Sequence, residues 1–195
     1  MVIGARFAWA HLPKTGGDAT CLMFRSVPGL VQFSDPLESD DKHLPFFARE
    51  DEIAGRIRVM NIRRLPAWTL SGAHHKASHG LAPEFRPLPL PTAEEMAEST
   101  DGDDLLTWMT DHDRLAVDRW LRCESLEEDL LALLDELGEL TPEARASVRA
   151  VGRVNQASYE RDLERAFTTA QIERMYERNP GWAAIERKVY GDLGV

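Results

Sequence analysis

Lys14 is followed by Thr15-Gly16-Gly17 and preceded by the apolar run Phe7-Ala8-Trp9-Ala10, and this is the stretch whose residue types and spacing could do chemistry. The apolar, aromatic run reads as a buried strand, Pro13 to Gly17 as a turn, and Cys21-Leu22-Met23-Phe24 as part of a helix starting near Gly17. Strand, glycine turn and helix in that order make an anion cradle. Glycines let the backbone come close to a ligand, the N–H groups of the first helical turn point at it, and Lys14 adds a positive charge. The ligand to expect is a phosphate or sulfate ester. The order is not that of the Walker nucleotide loop, in which the lysine follows the glycines and precedes Ser or Thr.

The elements that must position this loop follow from the rest of the chain. Gly29–Phe33 reads as a second strand, and Arg56–Ile62 alternates like a strand with one buried face. Pro66 suits the first turn of a helix that carries Trp68 and Ser71 inward. Four prolines between Ala82 and Pro91 predict a stiff extended connection, a candidate substrate loop. Thr92–His112 is helical with a break at Asp101-Gly102, Leu115–Cys123 reads as another strand, and Leu126–Leu137 is a helix stopped by Gly138. Thr141-Pro142-Glu143 signals a helix start. Tyr159–Phe167, Ala170–Arg178 and Trp182–Tyr190 make the C-terminal part helical. Strands separated by helices predict a three-layer α/β fold with a central parallel sheet. At 195 residues, the chain is expected to form one domain, 1–195.

Composition narrows the partners. A net charge of −10 argues against a broad nucleic-acid or anionic-membrane surface, so an anion must be held by a local cluster of cations and N–H groups. No apolar run approaches the roughly 20 residues needed to span a bilayer, and Met1 to Arg6 lacks the features of a signal peptide, so the expected location is the cytoplasm. Cys21 and Cys123 are too few for a disulfide framework. His75 and His79 are spaced for one helix face but lack an acidic neighbour, so no metal is expected. His74, His75 and His79 read better as neighbours of an acceptor pocket, with His75 in reserve as a candidate general base.

Lysine before paired glycines resembles the 5′-phosphosulfate loop of sulfotransferases that use 3′-phosphoadenosine 5′-phosphosulfate (PAPS). Two further segments strengthen the resemblance. Lys42-His43-Leu44-Pro45 is similar to the segment carrying the catalytic histidine of the cytosolic enzymes. Ile62-Arg63-Arg64-Leu65-Pro66, with Ser71 eight residues after Arg63, is similar to the family's 3′-phosphate motif. Trp120 to Glu128 looks like the strand end that follows the core in these proteins. The resemblance spans roughly residues 7 to 130. It implies PAPS as sulfuryl donor, His43 as general base, and Lys14 as the cation on the leaving phosphate. It gives the 5′-phosphate to the loop Lys14, Thr15, Gly16, Gly17, Asp18, Ala19 and Thr20, including the Thr15 hydroxyl, and the 3′-phosphate to Arg63 and Ser71. Arg64 rivals Arg63, which the interval to Ser71 favours.

Two departures stand against the pattern. Asp18 and Ala19 replace the usual hydroxyl residues, and a carboxylate beside a phosphate is unfavourable unless it points away. The adenine side is thin: Cys123 replaces an expected aromatic residue, no late Arg-Lys-Gly cluster is present, Arg153 near Asn155 is the one candidate in its place, and Trp9 or Trp68 would have to stack. The expectation is transfer to a hydroxyl or amine of a small-molecule or saccharide acceptor, with no metal, and a homodimer is compatible with it. Two other readings stay open, a non-catalytic nucleotide- or anion-binding module and an ATP-dependent phosphotransferase.

Overall fold

Short strands and many helices build an α/β protein, and the structure, a computed structural model, describes residues 1–79, 88–154 and 158–194. In chain order the elements are β1 (Val2–Gly4), β2 (Phe7–Ala10), α1 (Gly17–Ser26), β3 (Val31–Ser34), α2 (Glu50–Ile53), β4 (Ile57–Ile62), α3 (Leu65–His79), α4 (Ala93–Ser99), α5 (Gly102–Met109), β5 (Arg119–Arg122), α6 (Leu126–Glu136), α7 (Pro142–Val151), α8 (Leu163–Ala166), α9 (Thr169–Arg178) and α10 (Pro180–Tyr190). Short 3₁₀ turns lie at Asp40–His43, Phe46–Arg49 and Cys123–Ser125. The chain divides into two compact units, Met1–Ile62 with Thr107–Gln156, and Arg63–Leu106 with Ala157–Val195.

The first unit holds the sheet, five strands in the order β3-β1-β2-β4-β5. Its centre is parallel, β2 beside β4 and β4 beside β5, but β1 runs antiparallel to both β2 and β3. The sheet is therefore mixed and not wholly parallel as expected. Met1–Arg6 does not simply lead into the first strand: only Ala5 and Arg6 separate β1 from β2, and so short a link can only fold back as a hairpin. All four residues of β2 are buried, as are Val59 to Ile62 of β4, which suits strands covered on both faces. Phe7 and Phe24 stack with ring centroids 4.7 Å apart, joining β2 to α1. Val59, Leu121, Leu126, Leu130 and Leu134 complete that core, and α7 packs on α1.

The strand expected over Leu115–Cys123 shrinks to Arg119–Arg122. Asp118 is the reason at its start, because its carboxylate accepts the Arg58 backbone N–H at 2.8 Å. At its end, Asp129 accepts from both the backbone and the guanidinium of Arg122.

The second unit is helical among its described residues. Trp182, fully buried, packs on Trp68 with centroids 4.9 Å apart and donates its indole N–H to the Arg63 carbonyl at 3.0 Å. Asp103 and Asn179 cap one another's helices: the Asp103 carboxylate accepts from Gly181 and Trp182 N–H, and the Asn179 amide oxygen accepts from Asp103 N–H. The helix expected over Tyr159–Phe167 is reduced to Leu163–Ala166, begun by the Asp162 side chain on Glu164 N–H. Most of the proline-rich connection, residues 80–87, lies outside the described residues, as do Asn155 and the His79 side chain.

Candidate functional site

The loop between β2 and α1 has the conformation that its glycines predict. Lys14 lies in the left-handed region at φ 65°, a strained choice for a non-glycine residue, and Gly16, the N-cap, follows at φ 85°. Gly16 has no side chain to cap with, and the first intrahelical bond is Thr20 N–H to the Gly16 carbonyl at 3.1 Å. The start of α1 therefore offers its backbone N–H groups, on the positive end of the helix dipole, to an outside acceptor. Gly17 is glycine for a different reason: a Cβ there would fall 1.9 Å from the ring of His11. Around the same turn the Cys123 sulfur lies 3.2 Å from where a Gly16 Cβ would be, so the ends of β2 and β5 meet at the loop.

The hydroxyls of the loop are turned inward. Thr15 is fully buried and donates its hydroxyl to the Leu12 carbonyl at 2.7 Å, so the hydrogen expected to reach a phosphate is spent on shaping the turn. The Thr20 hydroxyl is likewise buried and donates to the Gly16 carbonyl. Beneath both sits Asn61 of β4, with no exposure. Its amide nitrogen donates to the Thr15 carbonyl at 2.9 Å and to the Thr20 hydroxyl at 2.7 Å, while its oxygen accepts the Trp9 indole N–H at 2.8 Å. One side chain thus ties β2, the loop and α1 together. Sequence reasoning missed it, although an asparagine inside the apolar run Val59-Met60-Asn61-Ile62 was a visible signal, since a buried amide must be satisfied.

His43 comes to this loop from its own 3₁₀ turn. Its Nδ1 lies 3.1 Å from the His11 carbonyl, three residues ahead of Lys14. A carbonyl can only accept, so Nδ1 carries the proton and the neutral ring keeps its lone pair on Nε2. Burial pushes the His43 pKa down, against the His11 hydrogen bond, which raises it. The ring rests on that of His11, centroids 4.3 Å apart, and His11 in turn stacks on Trp9 at 5.3 Å. His11 is 4% exposed; burial first, and then the charges of His43, Lys42 and Lys14, drive its pKa down to about 2. It is a neutral imidazole at any working pH.

Asp18, the residue most at odds with an anion site, pairs with the Lys42 ammonium at 3.2 Å, which also donates to the Leu37 carbonyl at 2.7 Å. The pair neutralises the carboxylate and anchors the His43 turn to the first turn of α1. Ala19 is half-buried beside it.

The remaining expected ligands belong to the second unit. Arg63 opens it and is half-buried, and Ser71 on α3 is buried. Arg64, its rival, is committed elsewhere: its guanidinium bonds Glu186 and Asp192 and stacks on Tyr190 at 4.1 Å. Trp9 and Trp68, the candidates for stacking on a base, are both used in packing, on Asn61 and His11 and on Trp182 respectively. Arg153 is exposed, and His75 is exposed on α3. Among the described residues no group of His, Cys, Asp and Glu could hold a metal ion, and no helix is long and apolar enough to cross a membrane.

Comparison with family models, with curated proteins and with solved structures finds no match to this chain.

Proposed function

We propose that the chain is a PAPS-dependent sulfotransferase acting on a hydroxyl or amine of a small molecule or saccharide. The observation that carries the reading is the meeting of two segments some thirty residues apart: His43 is hydrogen-bonded to the strand end that leads into the Lys14 loop. A base and an anion cradle are what sulfuryl transfer requires.

The loop fits a phosphosulfate on grounds of its own shape, a glycine-lined turn whose helix start presents backbone donors, with Lys14 beside it. Bound there, PAPS supplies the sulfuryl group. His43, held as the Nδ1–H tautomer, takes the acceptor proton at Nε2, a role typically worth about 10²- to 10⁴-fold in rate. Lys14 and the N–H groups of α1 stabilise the charge left on the phosphate. Thr15 and Thr20 act through the shape of the loop, with Thr15 contributing backbone and not hydroxyl. By the resemblance, Arg63 and Ser71 bind the 3′-phosphate, and the commitment of Arg64 favours Arg63 for that part.

A second reading, binding without catalysis, is favoured by Asp18, a carboxylate in the helix turn that would face the donor. An ATP-dependent phosphotransferase is the weaker rival, because the lysine precedes the glycines.

Calorimetric titration with 3′-phosphoadenosine 5′-phosphate (PAP), beside ATP with magnesium, tests the proposal. Micromolar PAP binding without magnesium, lost in Lys14→Ala and in Arg63→Ala, is expected. Transfer of labelled sulfate should then fall about 10²- to 10⁴-fold in His43→Ala with PAP affinity kept. Because the His43 pKa is lowered, the acid limb of the rate should lie below pH 6.5. Preference for ATP with magnesium, or binding without transfer to any acceptor, would sink it.

A further inference from the structure

His11 is a costly residue where it stands. The residue is 4% exposed, and Nδ1 is one of the buried polar atoms without a hydrogen-bond partner. Stacked between Trp9 and His43, the ring occupies a place that phenylalanine would fill with the same area and no unpaired nitrogen. Packing alone therefore does not explain a histidine.

The other edge of the ring does. Cδ2 and Nε2 lie flat against Gly17, each 1.9 Å from where its Cβ would be, so that Gly17 must be glycine for the imidazole to reach the first turn of α1. The ring is neutral, so one nitrogen holds the proton. An orphan N–H in a core is rarer and costlier than an orphan lone pair, which leaves Nδ1 bare and puts the proton on Nε2, the nitrogen nearer Gly17 and the helix start.

We propose that His11 is a further ligand of the bound anion, donating Nε2–H to an oxyanion of a sulfate or phosphate ester seated on the first turn of α1. The two stacked imidazoles then divide the work. His43 keeps its bare Nε2 for a proton, and His11 presents a protonated Nε2 to the anion. An uncharged donor fits beside Lys14 and Lys42, where a third cation would be repelled. The inference rests on the proposed function only for the identity of the anion.

The test uses two substitutions and one spectrum. His11→Phe keeps the ring stack and removes both nitrogens; His11→Gln restores a donor near the position of Nε2. With PAP and with inorganic phosphate or sulfate as probes, affinity is expected to fall about tenfold to a hundredfold in His11→Phe, while its melting temperature holds or rises. In His11→Gln, affinity should stay within about threefold of wild type. Long-range ¹⁵N spectra of the wild type should show His11 as the Nε2–H tautomer, with that proton shifting when phosphate is added. Unchanged affinity in His11→Phe, or an Nδ1–H tautomer, overturns the inference and leaves the sulfotransferase reading standing. Weakened binding of inorganic phosphate by His11→Phe, with no binding of PAP to wild type, keeps the inference and removes that reading. A wild type that binds none of the probes overturns both.

Discussion

Two helices each follow a parallel strand, and their first turns are built in opposite ways. At α1, after β2, the N-cap is a glycine and the backbone donors meet no capping side chain. At α3, after β4, the Leu65 N–H donates to the Glu186 carboxylate at 2.6 Å. Glu186 is wholly buried and also bonds the Tyr176 hydroxyl and Arg64. Both helix starts attract negative charge by the same dipole. One is filled by the protein's own anion. At the other the nearest carboxylate, Asp18, is drawn onto Lys42. The contrast teaches that a helix start is left open to an outside acceptor only while the chain withholds its own, and it separates Arg64, part of the internal cluster, from Arg63.

The comparison breaks most severely at Asn61. Asn61→Leu strips partners from the Thr15 carbonyl, the Thr20 hydroxyl and the Trp9 indole at once, and should cost at least about 3 kcal/mol by denaturant unfolding, from a loss of about 1–3 kcal/mol at each buried group. If the unfolding free energy falls by less than about 1 kcal/mol, the α1 loop is not held from beneath in the way described.

A smaller effect is expected at the open start itself. Gly17→Ala drives a methyl group into the His11 ring, an overpacking worth about 1–3 kcal/mol, and should also cost at least about tenfold in affinity for PAP or inorganic phosphate. A variant as stable and as tight as wild type would show that the ring does not cover the first turn of α1.

The filled start gives the smallest change and the clearest pH dependence. Burial raises the Glu186 pKa against the donors that lower it. Below the usual carboxyl range, folded and unfolded chains both hold the proton and stability is full. As pH rises, the unfolded chain ionises first, and stability is lost until the folded pKa is passed. Glu186→Gln removes this loss, so its stability relative to wild type should improve with rising pH by up to about 1.4 kcal/mol for each unit across that window. A difference that stays flat from pH 4 to pH 8, roughly the span in which a shifted carboxyl would titrate, would mean that Glu186 is not held as described.

How far the molecule could be read in advance follows the range of the interactions involved. The strand, glycine turn and helix of β2 and α1 were legible, because paired glycines after an apolar strand and before a helical period leave few local conformations. The helices Leu126–Glu136, Thr169–Arg178 and Pro180–Tyr190 came out near their expected bounds, marked by caps and period. The hairpin of β1 and β2 was missed because Met1 to Arg6 is too short to carry a period. The expected strand over Leu115–Cys123 was too long because side-chain carboxylates end the pairing, Asp118 on the backbone of Arg58, sixty residues away, and Asp129 on that of Arg122, from the following helix.

Within the site, residue types alone selected Lys14, Gly16, Gly17 and His43, and they framed the choice between Arg63 and Arg64. Tertiary structure decided what their neighbours do. The Thr15 hydroxyl turns to Leu12, Asp18 to Lys42, and Arg64 to Glu186. Asn61 and His11, given no role by residue type, became the strut of the loop and the platform of His43. Local sequence sets backbone conformation through sterics and capping within a few residues. Which polar group satisfies which is settled only when burial removes water and each donor must find the acceptor that the fold has brought beside it.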